Sequence, residues 1–263
     1  MGLTSGYLYP GATYPYGMVQ FTPSYFSKRS GFVINQLSGG GCEHMGNFPT
    51  FPVKGKLKMS PDNILNYRIN ISEEKGHAGY YEAKVQEDIH AKLTVTERTG
   101  MASYEYPADQ QYGTVIIGGG ISATPIDQAA IVITAPNKCE GYAEGGNFCG
   151  LRTPYKVYFV AEFDTDALES GTWKRDELKP NTTFAEGEYS GVYFTFDVNK
   201  KKNIQYKIGV SYVSVENARE NLKAENTGWD FLQIQNQAES KWNHYLLSLI
   251  HISEPTRHAQ ISY

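Results

Sequence analysis

Apolar and polar residues alternate along most of the first 213 positions of the chain. The clearest period-two runs cover residues 80–106, 155–163, 189–198 and 204–213. This alternation is typical of antiparallel strands with one buried face. Glycine, proline and acidic-polar clusters separate the runs at short intervals. The pattern predicts a mainly β fold: ten or more short strands in a large antiparallel β-sandwich, followed by a helical linker at the C-terminus.

The hydrophobic period changes from two to that of a helix after residue 213. Ser214 is a candidate N-cap for a helix that runs through Glu225, and Gly228 precedes a second helix that ends at about Leu246. One face of the second helix carries an apolar stripe, formed by Phe231, Ile234, Ala238, Trp242 and Tyr245. We therefore divide the chain into a sandwich domain (1–213), a helical linker (214–246) and a final segment (247–263).

Composition excludes several classes of partner. The 263 residues carry a net charge of −4 without a basic block, so nucleic acid is not an expected partner. The sequence has no run of 18 apolar residues, so no membrane span is predicted, and no secretory signal peptide is evident at Met1. Twenty tyrosines suit sugar binding, because each offers an apolar ring and a polar tip.

One stretch, Leu37–Pro52, fits neither a helix nor a strand. It holds four glycines, two prolines and a cluster of side chains that can accept, donate or titrate. Such a loop either forms a functional surface or is only a glycine-rich connection between strands. The candidate substrate-binding residues are Gly39, Gly40, Gly41, Cys42, Glu43, His44 and Asn47.

Each candidate in this loop has a functional and a structural interpretation. The amides of Gly39–Gly41 can approach a sugar hydroxyl or a phosphate, or else belong to a tight turn. Cys42 is either a small group beside a sugar or a packed free thiol. In an extended loop Glu43 and His44 point apart, whereas His44 and Asn47 can share a face and bind a phosphate or a sugar, unless they only hydrogen-bond within the loop.

Six segments, taken in order, resemble the N-terminal domain of glycoside hydrolase family 92, the calcium-dependent exo-α-mannosidases. They are YPGATYPYGMVQ (9–20), LSGGGC (37–42), GYYEAKV (79–85), AKLTVTERTG (91–100), YKVYFVAEF (155–163) and IGVSYVSVENARENL (208–222). The beginning, MGLTS, departs from the family pattern, which indicates that the start is truncated together with any signal peptide.

The resemblance implies a β-sandwich, a helical linker and an (α/α)6 barrel, with the active site between sandwich and barrel. In this architecture the general acid, the general base and most Ca²⁺ ligands belong to the barrel, which this chain lacks. The implied function is inverting hydrolysis of terminal α-linked mannose from glycans by a secreted or periplasmic parent protein. This chain alone is expected to be inactive, to supply no catalytic residue and to hold no metal.

Two alternatives remain open at this point. The loop CEHMGNFP is similar to GSHMGNLP, which occurs in a branch of the family that cleaves mannose-1-phosphate-6-mannose, but Glu43 replaces the serine and would repel a phosphate. The other alternative is a non-catalytic carbohydrate-binding β-sandwich.

Two further expectations concern the cysteines and the C-terminus. Cys139 and Cys149 flank a glycine-rich segment interpreted as a turn, and they form either a hairpin disulfide or two free thiols. The sequence LSLIHISEPTR at 247–257 equals the translation of a common transposon sequencing adapter. We therefore interpret 247–263 as adapter read-through and expect the natural protein to continue beyond Leu246.

Overall fold

A computed structural model of the chain describes residues 8–24, 31–62 and 71–252, and it describes side chains as far as Leu247. Two antiparallel sheets face each other. The order of strands in the first sheet is β1 (Ala12–Thr13), β2 (Gln20–Pro23), β3 (Phe32–Val33), β4 (Thr50–Lys54), β9 (Tyr112–Gly118), β16 (Ser190–Asp197), β13 (Glu169–Lys174) and β14 (Glu177–Pro180).

The second sheet is one strand larger within the described ranges. Its order is β15 (Phe184–Glu186), β10 (Ile126–Ala135), β11 (Lys138–Phe148), β12 (Leu151–Phe163), β17 (Asn203–Ser211), β8 (Thr99–Glu105), β7 (Ile89–Val95), β6 (Tyr80–Val85) and β5 (Ile71–His77). The expected mainly-β sandwich is confirmed.

Aromatic side chains join the two sheets. The ring of Phe163 on β12 lies 5.0 Å from the rings of Phe194 and Phe196 on β16 of the opposite sheet, and 5.3 Å from Tyr206 on β17. All four are buried. Inward positions alternate as the sequence predicts: on β6, for example, each second residue from Tyr81 to Val85 is buried.

The two strands beside the candidate loop have other bounds than the sequence predicts. From the sequence, one strand is predicted over residues 32–37, leading into the glycine loop, and one over residues 53–59, leaving it. In the structure, β3 ends at Val33, and β4 covers Thr50–Lys54. Proline at position 52 of β4 lacks an amide donor, but the strand still pairs with β9 through its other residues. The candidate loop therefore spans residues 34–49, between β3 and β4.

Two helices follow the sandwich. Helix α1 (Val215–Glu225) begins as predicted, because Oγ of Ser214 accepts a hydrogen bond of 3.1 Å from the Asn217 amide. It packs closely on β17, where Gly209 is required: a Cβ there would lie 2.6 Å from the carbonyl oxygen of Ala218. The end of α1 is fixed by Glu225, which accepts hydrogen bonds from Thr96 and Arg98 in the β7–β8 turn.

Helix α2 (Phe231–Ile252) lies across β6, β7 and β8, and its predicted apolar stripe faces the sandwich. Phe231, Ile234 and Ala238 are buried, and Nε1 of Trp242 donates a hydrogen bond of 2.7 Å to the Thr13 carbonyl. The helix passes the end predicted at Leu246, because the next six residues contain neither glycine nor proline. Among the described residues, no helix is long and apolar enough to cross a membrane.

Candidate functional site

The glycines of the candidate loop lie at its surface. Gly39 and Gly41 are exposed and have left-handed φ values of 76° and 77°, while Gly40 between them is half-buried. Left-handed residues next to right-handed ones turn successive N–H groups toward one side and form an anion- or hydroxyl-binding nest, and Gly39 and Gly41 supply the left-handed positions of that pattern. In the described part of the chain, no backbone hydrogen bond engages residues 39–43, so these amides remain available as donors.

Cys42 forms a disulfide with Cys149, so the interpretation of Cys42 as a packed free thiol is wrong. The bridge joins residues 107 positions apart, with their Cα atoms 5.5 Å from each other. Cys139 is a buried free cysteine, so the Cys139–Cys149 alternative is also wrong. The reason is that residues 138–148 form the extended strand β11 rather than a turn, which separates Cys139 from Cys149 by about 30 Å at about 3.3 Å per residue.

The disulfide partner sits at the tip of the β11–β12 hairpin. Phe148 and Leu151 are paired across the two strands, so Cys149 and Gly150 form a two-residue turn. Both turn residues have positive φ, 52° and 81°, as a type I′ hairpin turn requires. This hairpin brings Cys149 to the loop, a relationship that neither sequence segment indicates alone.

His44 points into the protein rather than toward solvent. It is 7% exposed, and its ring packs 5.4 Å from Phe148 of the hairpin and 5.5 Å from Tyr155 of β12. Its backbone carbonyl accepts a hydrogen bond of 3.2 Å from Leu37, which closes the loop at its base. Glu43, the preceding residue, is half-exposed, so the two side chains do point in different directions.

Asn47 is fully buried at the centre of a side-chain network. Its Oδ1 accepts from Nδ2 of Asn35 at 3.1 Å and from the hydroxyl of Tyr155 at 2.9 Å. Oδ1 of Asn35 in turn accepts from the amides of Gly46 and Asn47, at 3.1 and 2.7 Å. His44 and Asn47 therefore converge on Tyr155, which is the shared face expected of this pair, but that face is internal.

Two buried polar atoms of this network lack a hydrogen-bond partner among the described residues. Nδ1 of His44 and Nδ2 of Asn47 are buried and make no hydrogen bond with the described residues. Burial also raises the pKa of Tyr155, so its hydroxyl keeps its proton and acts as the donor to Asn47. A second tyrosine, Tyr212 at the end of β17, accepts from Nδ2 of Asn35 at 3.3 Å and thereby links the loop to the start of α1.

The charges around the loop are unevenly compensated. Burial raises the pKa of the Glu43 carboxyl, and no ion pair of Glu43 occurs among the described residues. By contrast, Asp127 on β10 is held by Arg152 of the hairpin through two hydrogen bonds of 3.2 and 2.7 Å. Arg152, three residues after Cys149, is therefore already engaged, and Glu43 is the one acidic residue in the loop.

Four residues of this arrangement escaped the sequence analysis: Asn35, Phe148, Tyr155 and Tyr212. Only Tyr155 carried a usable signal, because an inward-facing tyrosine in an alternating strand needs a polar partner for its hydroxyl. The other three occur in segments whose local pattern does not indicate the loop.

The resemblance assigns most ligands of a calcium ion to the barrel. Within the described ranges, no three His, Cys, Asp or Glu side chains are grouped so that they could hold a metal ion. Ca²⁺ takes six to eight oxygen ligands, to which carboxylates, backbone carbonyls and amide side chains all contribute.

Comparison with known proteins shows what the chain resembles. Residues 2–211 match the family described as glycosyl hydrolase family 92 N-terminal domain. A protein of Arthroderma benhamiae named "uncharacterized secreted glycosidase" is 26% identical to the chain, over 92% of this chain and 36% of its own length.

Solved structures share the fold. The family GH92 α-mannosidase BT3965 from Bacteroides thetaiotaomicron is 23% identical, with a TM-score of 0.79 over 92% of this chain and 36% of its own. The inverting mannosidase BT2199 from the same organism is 24% identical, with a TM-score of 0.77 over 92% and 33%. The chain thus spans about a third of the length of these relatives. By its family match, the chain belongs to glycosyl hydrolase family 92, of which it carries the N-terminal domain.

Proposed function

We propose that this domain is the N-terminal part of an inverting exo-α-mannosidase that releases terminal α-linked mannose from glycans. The relatives are about three times as long as this chain, and the two solved ones are named an α-mannosidase and an inverting mannosidase. In this proposal the candidate loop forms one wall of the sugar site, and the following (α/α)6 barrel forms the other. The parent protein is proposed to be secreted or periplasmic, in line with the name of the fungal relative.

The observation that carries the proposal is the state of the glycine amides. Residues 39–43 offer backbone N–H groups that the described residues leave unbonded, at an exposed position. The loop is nevertheless held in place by a disulfide and by the buried Asn35–Asn47–Tyr155 network. A rigid loop with open donors is pre-organised for hydrogen bonds to a ligand, which lowers the entropic cost of binding.

A second observation supports a functional loop over a simple connection. The buried atoms Nδ1 of His44 and Nδ2 of Asn47 have no partner among the described residues. Each such atom costs about 1–3 kcal/mol. A connection selected for stability alone would replace them with apolar groups.

The loop residues have binding rather than chemical roles in this proposal. The amides of Gly39–Gly41 donate to hydroxyls on one side of the mannose ring, and Glu43 accepts from a sugar hydroxyl. Inversion needs a carboxylic acid at the leaving oxygen and a carboxylate that activates water on the opposite face. The loop, residues 34–49, contains a single carboxyl, that of Glu43. We assign both catalytic carboxyls, and most ligands of the calcium ion that would help to distort the sugar and position the water, to the barrel.

The same charge pattern favours an uncharged substrate over a phosphate-bearing one. Glu43 lies beside the glycine amides without a compensating cation in the described structure, and Arg152 is neutralised by Asp127. A phosphate bound at the glycine amides would be repelled by the carboxylate of Glu43. The substrate proposed here is therefore a neutral mannose-containing glycan.

The test compares the 263-residue chain with the longer protein encoded by the source DNA past codon 246. The chain alone is expected to leave an aryl α-mannoside intact and to bind mannose at millimolar or weaker affinity, on the order of 4 kcal/mol. The longer protein is expected to release mannose, and chelation of calcium should stop the release. A non-catalytic sandwich would instead give no turnover in either form. Turnover by the chain alone, if it is lost on changing a carboxylate within 1–246, would show that the chemistry lies in this domain and would contradict the proposal.

A further inference from the structure

The candidate loop is held in two halves by different interactions. Its second half is fixed by hydrogen bonds: Asn35 accepts from Gly46 and Asn47, and the Met45 carbonyl accepts from Ala123 at 2.8 Å. Its first half, residues 39–43, has no backbone hydrogen bond to the described structure. The Cys42–Cys149 bond is the strongest interaction that this half makes.

The disulfide lies outside the hydrophobic core and at the surface. Cys149 is exposed and Cys42 is half-buried, and neither belongs to the core cluster between the sheets. Cys139, in contrast, is a fully buried member of that cluster. A soluble dithiol can therefore reach the Cys42–Cys149 bond without opening the sandwich.

Within the described residues, an aromatic contact adds to the disulfide between the hairpin tip and the loop. Residues 151–154 of β12 are exposed, and the β11–β12 pairing is irregular between Gly145 and Asn147. Apart from the disulfide, the tip meets the loop through Phe148, which contacts His44 and lies near Gly40. Without the covalent bond, one aromatic contact would have to hold the tip against the glycines.

We propose that Cys42 and Cys149 are positioning residues whose disulfide clamps the glycine half of the loop, and that a dithiol opens this clamp while the sandwich stays folded. In the opening step a dithiol supplies two electrons and two protons. The S–S bond breaks, Cys42 and Cys149 become thiols, and the dithiol becomes a disulfide. Reduction frees residues 38–43 and 147–150 but leaves 44–48 fixed by the Asn35 network.

The consequence for catalysis rests on the function proposed above. The glycine amides contact the sugar only when the clamp holds them in one conformation, so an oxidising environment favours the binding-competent loop. Reduction should raise the KM for an α-mannoside and leave kcat nearly unchanged. A disulfide that served stability alone would instead lower the fraction of active protein without changing KM.

The first experiment uses Cys139 as an internal reporter of unfolding. The chain is treated with dithiothreitol at 20 °C, alkylated with iodoacetamide and mapped by mass spectrometry. Cys42 and Cys149 should be labelled only after reduction, and Cys139 should stay unlabelled. Labelling of Cys42 and Cys149 without reductant would show that the bond is absent. Labelling of Cys139 at the same rate would show that reduction unfolds the sandwich, and either result overturns the proposal.

The second experiment follows local order by hydrogen exchange. On reduction, the amides of residues 145–153 should exchange at least tenfold faster, while those of β16 and β17 should not change. A Cys42→Ser/Cys149→Ser chain should match the reduced protein without reductant, and a Cys139→Ala chain should keep the wild-type response. Unchanged exchange at 145–153 overturns the clamp. Because this readout needs no activity, failure of the clamp and failure of the mannosidase proposal are distinguishable; the KM measurement on the longer protein then tests their connection.

Discussion

The hydroxyl of Tyr155 donates a hydrogen bond of 2.9 Å to Oδ1 of Asn47, which precedes it by 108 residues. This bond ties the candidate loop to the central part of the second sheet, because Tyr155 belongs to β12. The loop is thus positioned by a strand that follows it late in the sequence, and the stability of the site should depend on Tyr155.

The variant Tyr155→Phe tests this dependence. It removes the donor but leaves Asn47 with its bond from Asn35, so we expect a loss of about 1 kcal/mol in the free energy of unfolding. Urea titration of the purified chain measures it. Tyr158→Phe is the matched control, because Tyr158 lies on the same strand and its hydroxyl makes no hydrogen bond with the described residues. Equal losses in the two variants would show that the bond contributes nothing specific.

Sequence periodicity predicted the fold because burial repeats along each strand. The alternation in β6, β7 and β12 and the N-cap at Ser214 are local features, and each is present in the structure. The strands beside the glycine loop were placed less well, since their bounds depend on pairing with other strands, β3 with β2 and β4, and β4 with β9, rather than on their own pattern.

The candidate site was predictable only in part for the same reason. The loop itself was evident from its glycines, but its supports come from the hairpin tip, β12 and β17. The pairing of Cys42 with Cys149 depends on the two-residue turn that follows β11. The segment between Cys139 and Cys149, which has three glycines, was interpreted as a turn. It forms strand β11 instead, and the extended strand keeps Cys139 too far from Cys149 for a disulfide.

A pair of glycines separates backbone strain from sugar contact. Gly41 and Gly55 both have φ of 77°, and a Cβ at either position would meet no atom within 4 Å. Gly41→Ala and Gly55→Ala should therefore each cost about 1–2 kcal/mol of stability, since a left-handed residue with a side chain is strained. Thermal or urea unfolding of the chain checks this equality.

Only the first of these variants should affect the sugar. Gly55 follows β4 at the end opposite the loop, whereas Gly41 belongs to the proposed nest. In the longer protein, Gly41→Ala is expected to raise the KM for an α-mannoside several-fold, and Gly55→Ala should leave it unchanged. An equal KM in the two variants would show that the glycine amides do not contact the sugar.

Gly40→Val should disturb the packing between the candidate loop and the hairpin tip. A Cβ at this position would lie 2.9 Å from Cδ2 of Leu37 and 3.3 Å from Cε2 of Phe148, so a branched side chain must push the loop and hairpin apart. We expect a loss of about 1–3 kcal/mol, as for overpacking elsewhere, together with faster hydrogen exchange near Phe148. Gly40→Ala provides the graded comparison, and a valine variant as stable as wild type would contradict the close packing.

The carboxyl of Glu43 should make stability depend on pH in a defined direction. Burial raises its pKa in the folded state, so the protonated form is favoured there. This contribution is fully present below the unfolded pKa of about 4.3 and is lost as pH rises through the folded pKa. Glu43→Gln should therefore raise the melting temperature slightly at pH 7, and the difference should vanish near pH 4. Because the side chain is partly exposed, the effect is small; a lower melting temperature at pH 7 would indicate a stabilising partner for the carboxylate.

Removal of residues 247–263 should leave the melting temperature unchanged within about 1–2 °C. Among the side chains of α2 that the structure describes, which end at Leu247, the last buried one is Ala238, and Trp242 contributes the bond to Thr13. Leu246 and Leu247, in contrast, are 45% and 55% exposed. Trp242→Phe, which loses the 2.7 Å bond, should lower the melting temperature by about 2–4 °C and shows that the assay detects loss of helix docking. If trimming after Leu246 lowered the melting temperature as much as Trp242→Phe does, the final segment would have a packing role. That result would contradict its interpretation as adapter read-through.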